Sequence, residues 1–108
     1  MNLFLEYQKK IFNILKKIEK KKIIDLPNNF KSLTVELPPK GYKADISCNV
    51  AMLIAKLNKK TPLDLANILK KHLLLKHKVF KGIEIAGPGF LNISFQNYFW
   101  REYLKNQV

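Results

Sequence analysis

Val79-Phe80-Lys81-Gly82-Ile83-Glu84-Ile85-Ala86-Gly87-Pro88-Gly89-Phe90-Leu91-Asn92-Ile93-Ser94-Phe95 is the stretch from which the fold is read. Residues 79–86 carry a strand pattern, with Ile83 and Ile85 on one face and Gly82 and Glu84 on the other. Gly87-Pro88-Gly89 marks a break or tight turn, because glycine and proline supply backbone angles that strands do not use. Residues 90–95 form a second strand. Strand side chains alternate between faces, so Leu91, Ile93 and Phe95 share the face that meets the core, and Phe90, Asn92 and Ser94 share the other.

Helical signals surround this pair of strands. Upstream, Thr61, Pro62 and Asp64 spell an N-cap, a first-turn proline and a variant of the capping box. The helix they open turns Leu65, Ile68, Leu69, His72 and Leu73 inward. Before it, residues 49–57 are apolar on nearly every side, which places that helix in the middle of the domain. Leu33, Val35 and Leu37 alternate with Ser32, Thr34 and Glu36 as a half-buried strand, ended by Pro38 and Pro39. Residues 2–22 form an amphipathic helix with Phe4, Tyr7, Ile11, Ile14, Leu15 and Ile18 on one face and lysines crowding the rest. Downstream of the strands, Tyr98, Phe99, Trp100, Tyr103 and Leu104 belong to a short final helix. The order predicts an α+β fold: a small, mainly antiparallel sheet of three to four strands with helices packed on one face.

At 108 residues there is room for one domain with one modest core. The chain carries 20 Lys plus Arg against 8 acids, a formal charge of +12. Such a surplus favours phosphate-bearing partners, and it equally suits an anionic membrane surface. Arg101 is the sole arginine. Sites that read phosphate or bases lean on arginine for its planar fork, so the lysine excess can equally reflect overall composition. Cys48 is alone, which rules out an internal disulfide and fits a reducing compartment. No apolar run approaches the length of a membrane span.

Candidate chemistry concentrates on the second strand. If helices cover one side of the sheet only, Phe90 and Asn92 stand side by side in the open. An aromatic ring can stack on an unpaired base and an amide can bond a base edge. The same residues are also compatible with a strand-end core position and an ordinary exposed amide. His72 and His77 lack neighbouring cysteines or carboxylates and read as surface or core-edge histidines, with no metal site. No Ser-His-Asp or Cys-His arrangement and no phosphate-binding glycine loop is present, and Cys48 reads as an inert thiol.

Two segments together resemble the N-terminal domain of arginyl-tRNA synthetases. One is Asp45-Ile46-Ser47-Cys48-Asn49-Val50-Ala51-Met52, continuing to Leu57. The other is Ile85-Ala86-Gly87-Pro88-Gly89-Phe90-Leu91-Asn92-Ile93. The resemblance implies an accessory module that touches the D-loop at the outer corner of tRNA, with Phe90 and Asn92 at the positions that contact an unpaired nucleotide. A third contact, asparagine in some members, is Ala86 here, which leaves a smaller hydrogen-bonding set. Diffuse phosphate attraction comes from lysines, with Lys40 and Lys43 the first candidates. Asp45 and Asn49 are expected to be structural, Asn49 as a helix cap and Asp45 as the holder of the preceding turn.

The parent enzyme implied by the resemblance joins arginine to tRNA with ATP and Mg, on a separate core bearing a His-x-Gly-His motif. That motif is absent, so no catalytic residue and no cofactor is expected in this domain. Residues 1–108 are read as a single tRNA-binding unit of a larger synthetase, ending near the start of a linker at Val108. Its expected partners are tRNA and the catalytic core, in a cytoplasmic, monomeric protein without membrane contact. The alternatives are a scaffolding module without RNA affinity and an unrelated small basic RNA-binding protein.

Overall fold

The computed structural model describes residues 2–106, so the expected linker start at Val108 lies outside them. The first helix, α1 (Leu3–Lys20), is capped by Asn2, whose Oδ1 accepts from the N–H of Phe4 at 2.9 Å and of Leu5 at 3.3 Å. Tyr7, Ile11, Ile14, Leu15 and Ile18 are buried along one stripe, as their spacing predicts. Phe4 lies at the edge of that stripe and is only partly buried. Lys22, at φ 61°, ends the helix in the left-handed region. The N–H groups of Lys22 and Ile23 then bond back to the carbonyls of Glu19 and Ile18.

Four strands follow in the order β1-β2-β4-β3, every neighbour antiparallel: β1 (Val35–Glu36), β2 (Ile46–Cys48), β3 (Phe80–Ala86) and β4 (Phe90–Phe95). Strand β2 was not expected from sequence; three residues are too few for periodicity to register. The first predicted strand is shorter than its pattern. Leu33 and Val35 are buried, but Leu37 is 74% exposed. Pro38 and Pro39 have no N–H for a ladder, so the chain leaves the sheet before Leu37 can turn inward.

Helix α2 (Val50–Ile54) also stops short of its predicted end. It buries Val50, Ala51 and Ile54, whereas Leu53 and Leu57 are exposed, so it lies at the side of the domain rather than its centre. Helix α3 (Pro62–Lys76) begins as read: Thr61 Oγ1 accepts from Asp64 N–H at 3.1 Å. Leu65, Ala66, Leu69 and Leu73 are buried, while Ile68 and His72 flank the stripe and are half-buried. Helix α4 (Asn97–Lys105) closes the described chain without a buried residue.

The helices and one sheet face share a single core. Val35, Ile46, Cys48, Ile83, Leu91, Ile93 and Phe95 face the buried stripes of α1 and α3. At one end of this core, the rings of Phe80 and Phe95 stack 6.0 Å apart, with Tyr7 tilted 4.8 Å from Phe95 and Phe99 4.5 Å from it. At the other end, the turn between β3 and β4 meets the helices. Gly89 has φ +134°, and a Cβ there would approach Pro62 Cβ to 3.1 Å and Met52 Cγ to 3.4 Å.

That close approach makes a sharp prediction. Gly89→Ala combines a disfavoured backbone conformation with a steric overlap, and should destabilise the fold by about 2 kcal/mol or more. Gly82→Ala, whose Cβ would enter open space, should stay within about 0.5 kcal/mol of the parent. Thermal melts of both variants check this; equal melting temperatures would remove the packing of turn on helix as a constraint.

Candidate nucleic-acid interface

The face of the sheet turned away from the core is built in rows. Glu36, Ser47, Asn92 and Glu84 lie directly opposite one another across all four strands. Phe90 pairs with Ala86 at the turn end of β3 and β4, and Ser94 pairs with Gly82 toward their other end. Phe90 and Asn92 therefore do share a face two residues apart, as the alternation requires.

Their exposure differs from the expectation. Phe90 is half-buried, and Asn92 is only 1% exposed. Asn92 sits in an inner strand, with Ser47 and Glu84 on either side and Phe90 and Ser94 along the strand. Neither Asn92 Oδ1 nor Nδ2 has a hydrogen-bond partner, and Ser47 Oγ beside it is likewise buried and unpaired. Each such group typically destabilises a fold by about 1–3 kcal/mol. Sequence reasoning missed Ser47, because three residues are too few for alternation to mark them as a strand.

Asp45 and Asn49 brace the strands that carry this face. Asp45 Oδ2 accepts from Phe95 N–H at 2.7 Å, and its own N–H donates to Ile93 O at 2.9 Å. It holds the end of β4 rather than the turn before itself. Asn49 stands at the N-cap of α2 but makes no cap bond. Its Oδ1 instead accepts from Thr34 N–H at 2.8 Å and its Nδ2 donates to Ser32 O at 3.2 Å, extending the pairing beyond β1. Asn58 repeats the device on Asp25, accepting from its N–H at 2.7 Å and donating to its carbonyl at 3.0 Å.

The two candidate lysines separate. Lys43 carries the carbonyl that accepts from Ser94 Oγ at 3.5 Å, and it lines an open cleft of about 430 Å³ with Asp45, Lys81, Gly82, Ser94 and Trp100. Lys40 stays on the exposed turn closed by the Tyr42 N–H to Pro39 carbonyl bond, outside that cleft. A further basic cluster belongs to the helix layer, where Lys21, with Lys17 also near, holds Lys76 below the usual lysine range.

Titratable groups elsewhere are structural. Complete burial pushes the Cys48 thiol up to about 12, which keeps it protonated and unreactive. His77 Nε2 lies 3.2 Å from the Tyr7 hydroxyl, and burial, with Lys10 nearby, lowers its pKa below 6.5. Burial, followed by the Glu6 charge, raises Tyr7, so the phenol remains a donor to a neutral imidazole. Among the described residues no three His, Cys, Asp or Glu side chains gather as a metal site, and no helix is long and apolar enough to cross a membrane.

Residues 5–95 match the family described as the arginyl-tRNA synthetase N-terminal domain. The chain belongs to that family. An arginine–tRNA ligase of Pelagibacter ubique is 39% identical over 106 residues, covering 98% of this chain and 18% of that protein. One of Wolbachia pipientis is 34% identical over 105 residues, covering 97% of this chain and 18% of its own length. The Thermus thermophilus arginyl-tRNA synthetase structure matches in fold with a TM-score of 0.62 at 23% identity, over 95% of this chain and 16% of that one. This member of the family thus spans under a fifth of the length of the relatives it matches.

The His77 environment predicts a pH dependence of stability. Its folded pKa is depressed, so the neutral form is favoured in the fold, and this contribution is complete above pH 6.5. As pH falls below 6.5 the unfolded chain takes up the proton first and stability drops, until the folded pKa is passed. Melting temperatures between pH 7.5 and 5 should fall for the parent and fall less for His77→Gln. Parallel curves would show that His77 does not carry the effect.

Proposed function

We propose that this domain serves an arginine–tRNA ligase by taking an unpaired nucleotide of the tRNA D-loop on its open sheet face. One observation carries the reading: Asn92, a buried amide with no partner, lies beside the half-buried Phe90 on the side of the sheet the core leaves free. An unpartnered amide and hydroxyl inside a sheet are held at a loss unless a ligand completes them. A base stacked on Phe90 would bring its polar edge toward Asn92 and Ser47. Stacking supplies about 1–3 kcal/mol per base. Ala86, opposite Phe90, offers no hydrogen bond, so recognition of the base edge falls to Asn92 and Ser47.

The catalytic steps, with ATP and Mg, then belong to the remainder of the synthetase. The domain works as a single unit that orients tRNA toward that core. The exposed Tyr98 and Leu104 of α4, a helix with no buried residue, favour α4 as the side that meets the core. Lys40 and Lys43 add diffuse attraction to phosphates near the open face.

In the full synthetase, Phe90→Ala and Asn92→Ala should each lower kcat/KM for tRNA by roughly 5- to 100-fold, in line with about 1–3 kcal/mol. The KM values for ATP and arginine should stay unchanged. Asn92→Ala should also leave the melting temperature of the domain equal or higher, because it removes two unsatisfied groups. Unaltered tRNA kinetics in both variants would overturn the base-recognition reading and leave a scaffold that only packs on the core.

A further inference from the structure

The cleft at the far end of β4 is a built feature that the Phe90–Asn92 pair does not use. Its floor is Gly82 opposite Ser94, and a Cβ at Gly82 would meet nothing within 4 Å. One wall is Lys81, the extra residue of a β-bulge between the Phe80–Phe95 and Gly82–Ser94 pairs. A bulge redirects the side chain it carries. The facing wall is Lys43, anchored through its carbonyl to Ser94 Oγ. Trp100 closes the end. It is half-buried and braced by Phe95 at 5.7 Å and Phe99 at 5.2 Å, so its ring is fixed while part of it stays accessible. Asp45 is the one acid in the lining, and one of its oxygens is already engaged by Phe95 N–H.

We propose that this cleft is a second nucleotide subsite for the same single RNA strand, with Lys43 and Lys81 on its phosphate and Trp100 beneath its base. The inference rests on the proposed D-loop reading and extends it from one nucleotide to a short track along β4. Phe90 and Ser94 lie four positions apart, a span of about 13 Å at the ~3.3 Å rise of a strand. Stacked nucleotides rise only about 3.4 Å, so a base on Phe90 and a group in the cleft belong to different nucleotides. A lining that holds two lysines and a glycine suits a phosphate, which needs charge and close approach. A braced indole suits any base, because every base offers a flat face. The domain, whose arginine count is one, would here obtain its affinity from point charges and stacking rather than from bidentate forks.

Trp100 is the only tryptophan, so its emission reports on the cleft alone. The 108-residue chain is titrated with a tRNA(Arg) transcript at several salt concentrations, for the parent, Phe90→Ala, Gly82→Leu and the double variant Lys43→Ala/Lys81→Ala, each checked for folding by circular dichroism. The proposal expects the parent emission to be quenched. It expects Gly82→Leu, which fills the floor, to abolish the quench and bind about 3- to 10-fold more weakly. The double variant should weaken binding similarly and reduce the slope of log affinity against log salt by about 0.7 for each phosphate left without its lysine. Binding that depends on Phe90, with no quench and no effect of Gly82→Leu or the lysine variant, overturns the second subsite and leaves the D-loop reading standing. Quenching that disappears in Gly82→Leu but is indifferent to Phe90→Ala retains the cleft as an RNA site and overturns the role of Phe90. No detectable binding by the parent overturns both.

Discussion

The rest of the domain depends on β4 being paired on both edges. It bonds to β2 on one side and β3 on the other, so its backbone is satisfied and cannot slip without breaking two ladders. That fixes which residues face which way. Leu91 and Ile93 are completely buried, and with Phe95 they anchor the layer formed by α1 and α3. The same alternation forces Phe90, Asn92 and Ser94 onto the other side. A binding face is therefore a by-product of the core: whatever holds Ile93 inward also holds Asn92 outward.

Side-chain amides and one carboxylate finish what the short strands begin. β1 and β2 together contain five residues, too few to secure the long connections around them. Asn49 pairs with the backbone at residues 32 and 34, Asn58 with residue 25, and Asp45 with the last N–H of β4. Each imitates a strand neighbour where none is available, satisfying backbone groups that burial would otherwise leave unpaired. Loops that would be loose become part of the frame behind the open face.

The long elements were legible because their signals are local. The stripe of α1 and the Thr61 cap depend on residues within a turn or two, and the Gly-Pro-Gly turn on three consecutive positions. What escaped depended on distant partners. Strand β2 exists because β1 and β4 flank it, not because Ile46-Ser47-Cys48 has a pattern of its own. Leu37 kept the alternation of a strand but is denied a ladder by the prolines beyond it. Asn92 was legible as to face and not as to depth: alternation assigns a side, whereas burial is decided by what packs around a residue in three dimensions. The charge was the least informative feature, since the lysines divide between the helix layer and the sheet's open side and no local pattern told them apart.

The close approach of Gly89 to Pro62 ties two positions that look unrelated along the chain. One begins a helix on the core side, and the other sits one residue before the ring proposed to meet RNA. Because Gly89 has no room to grow, a larger residue there would have to be answered by a retreat of Pro62. The helix start and the tip of the hairpin are thus mechanically joined, and a shift in the first turn of α3 would be felt next to Phe90 without touching any nucleotide.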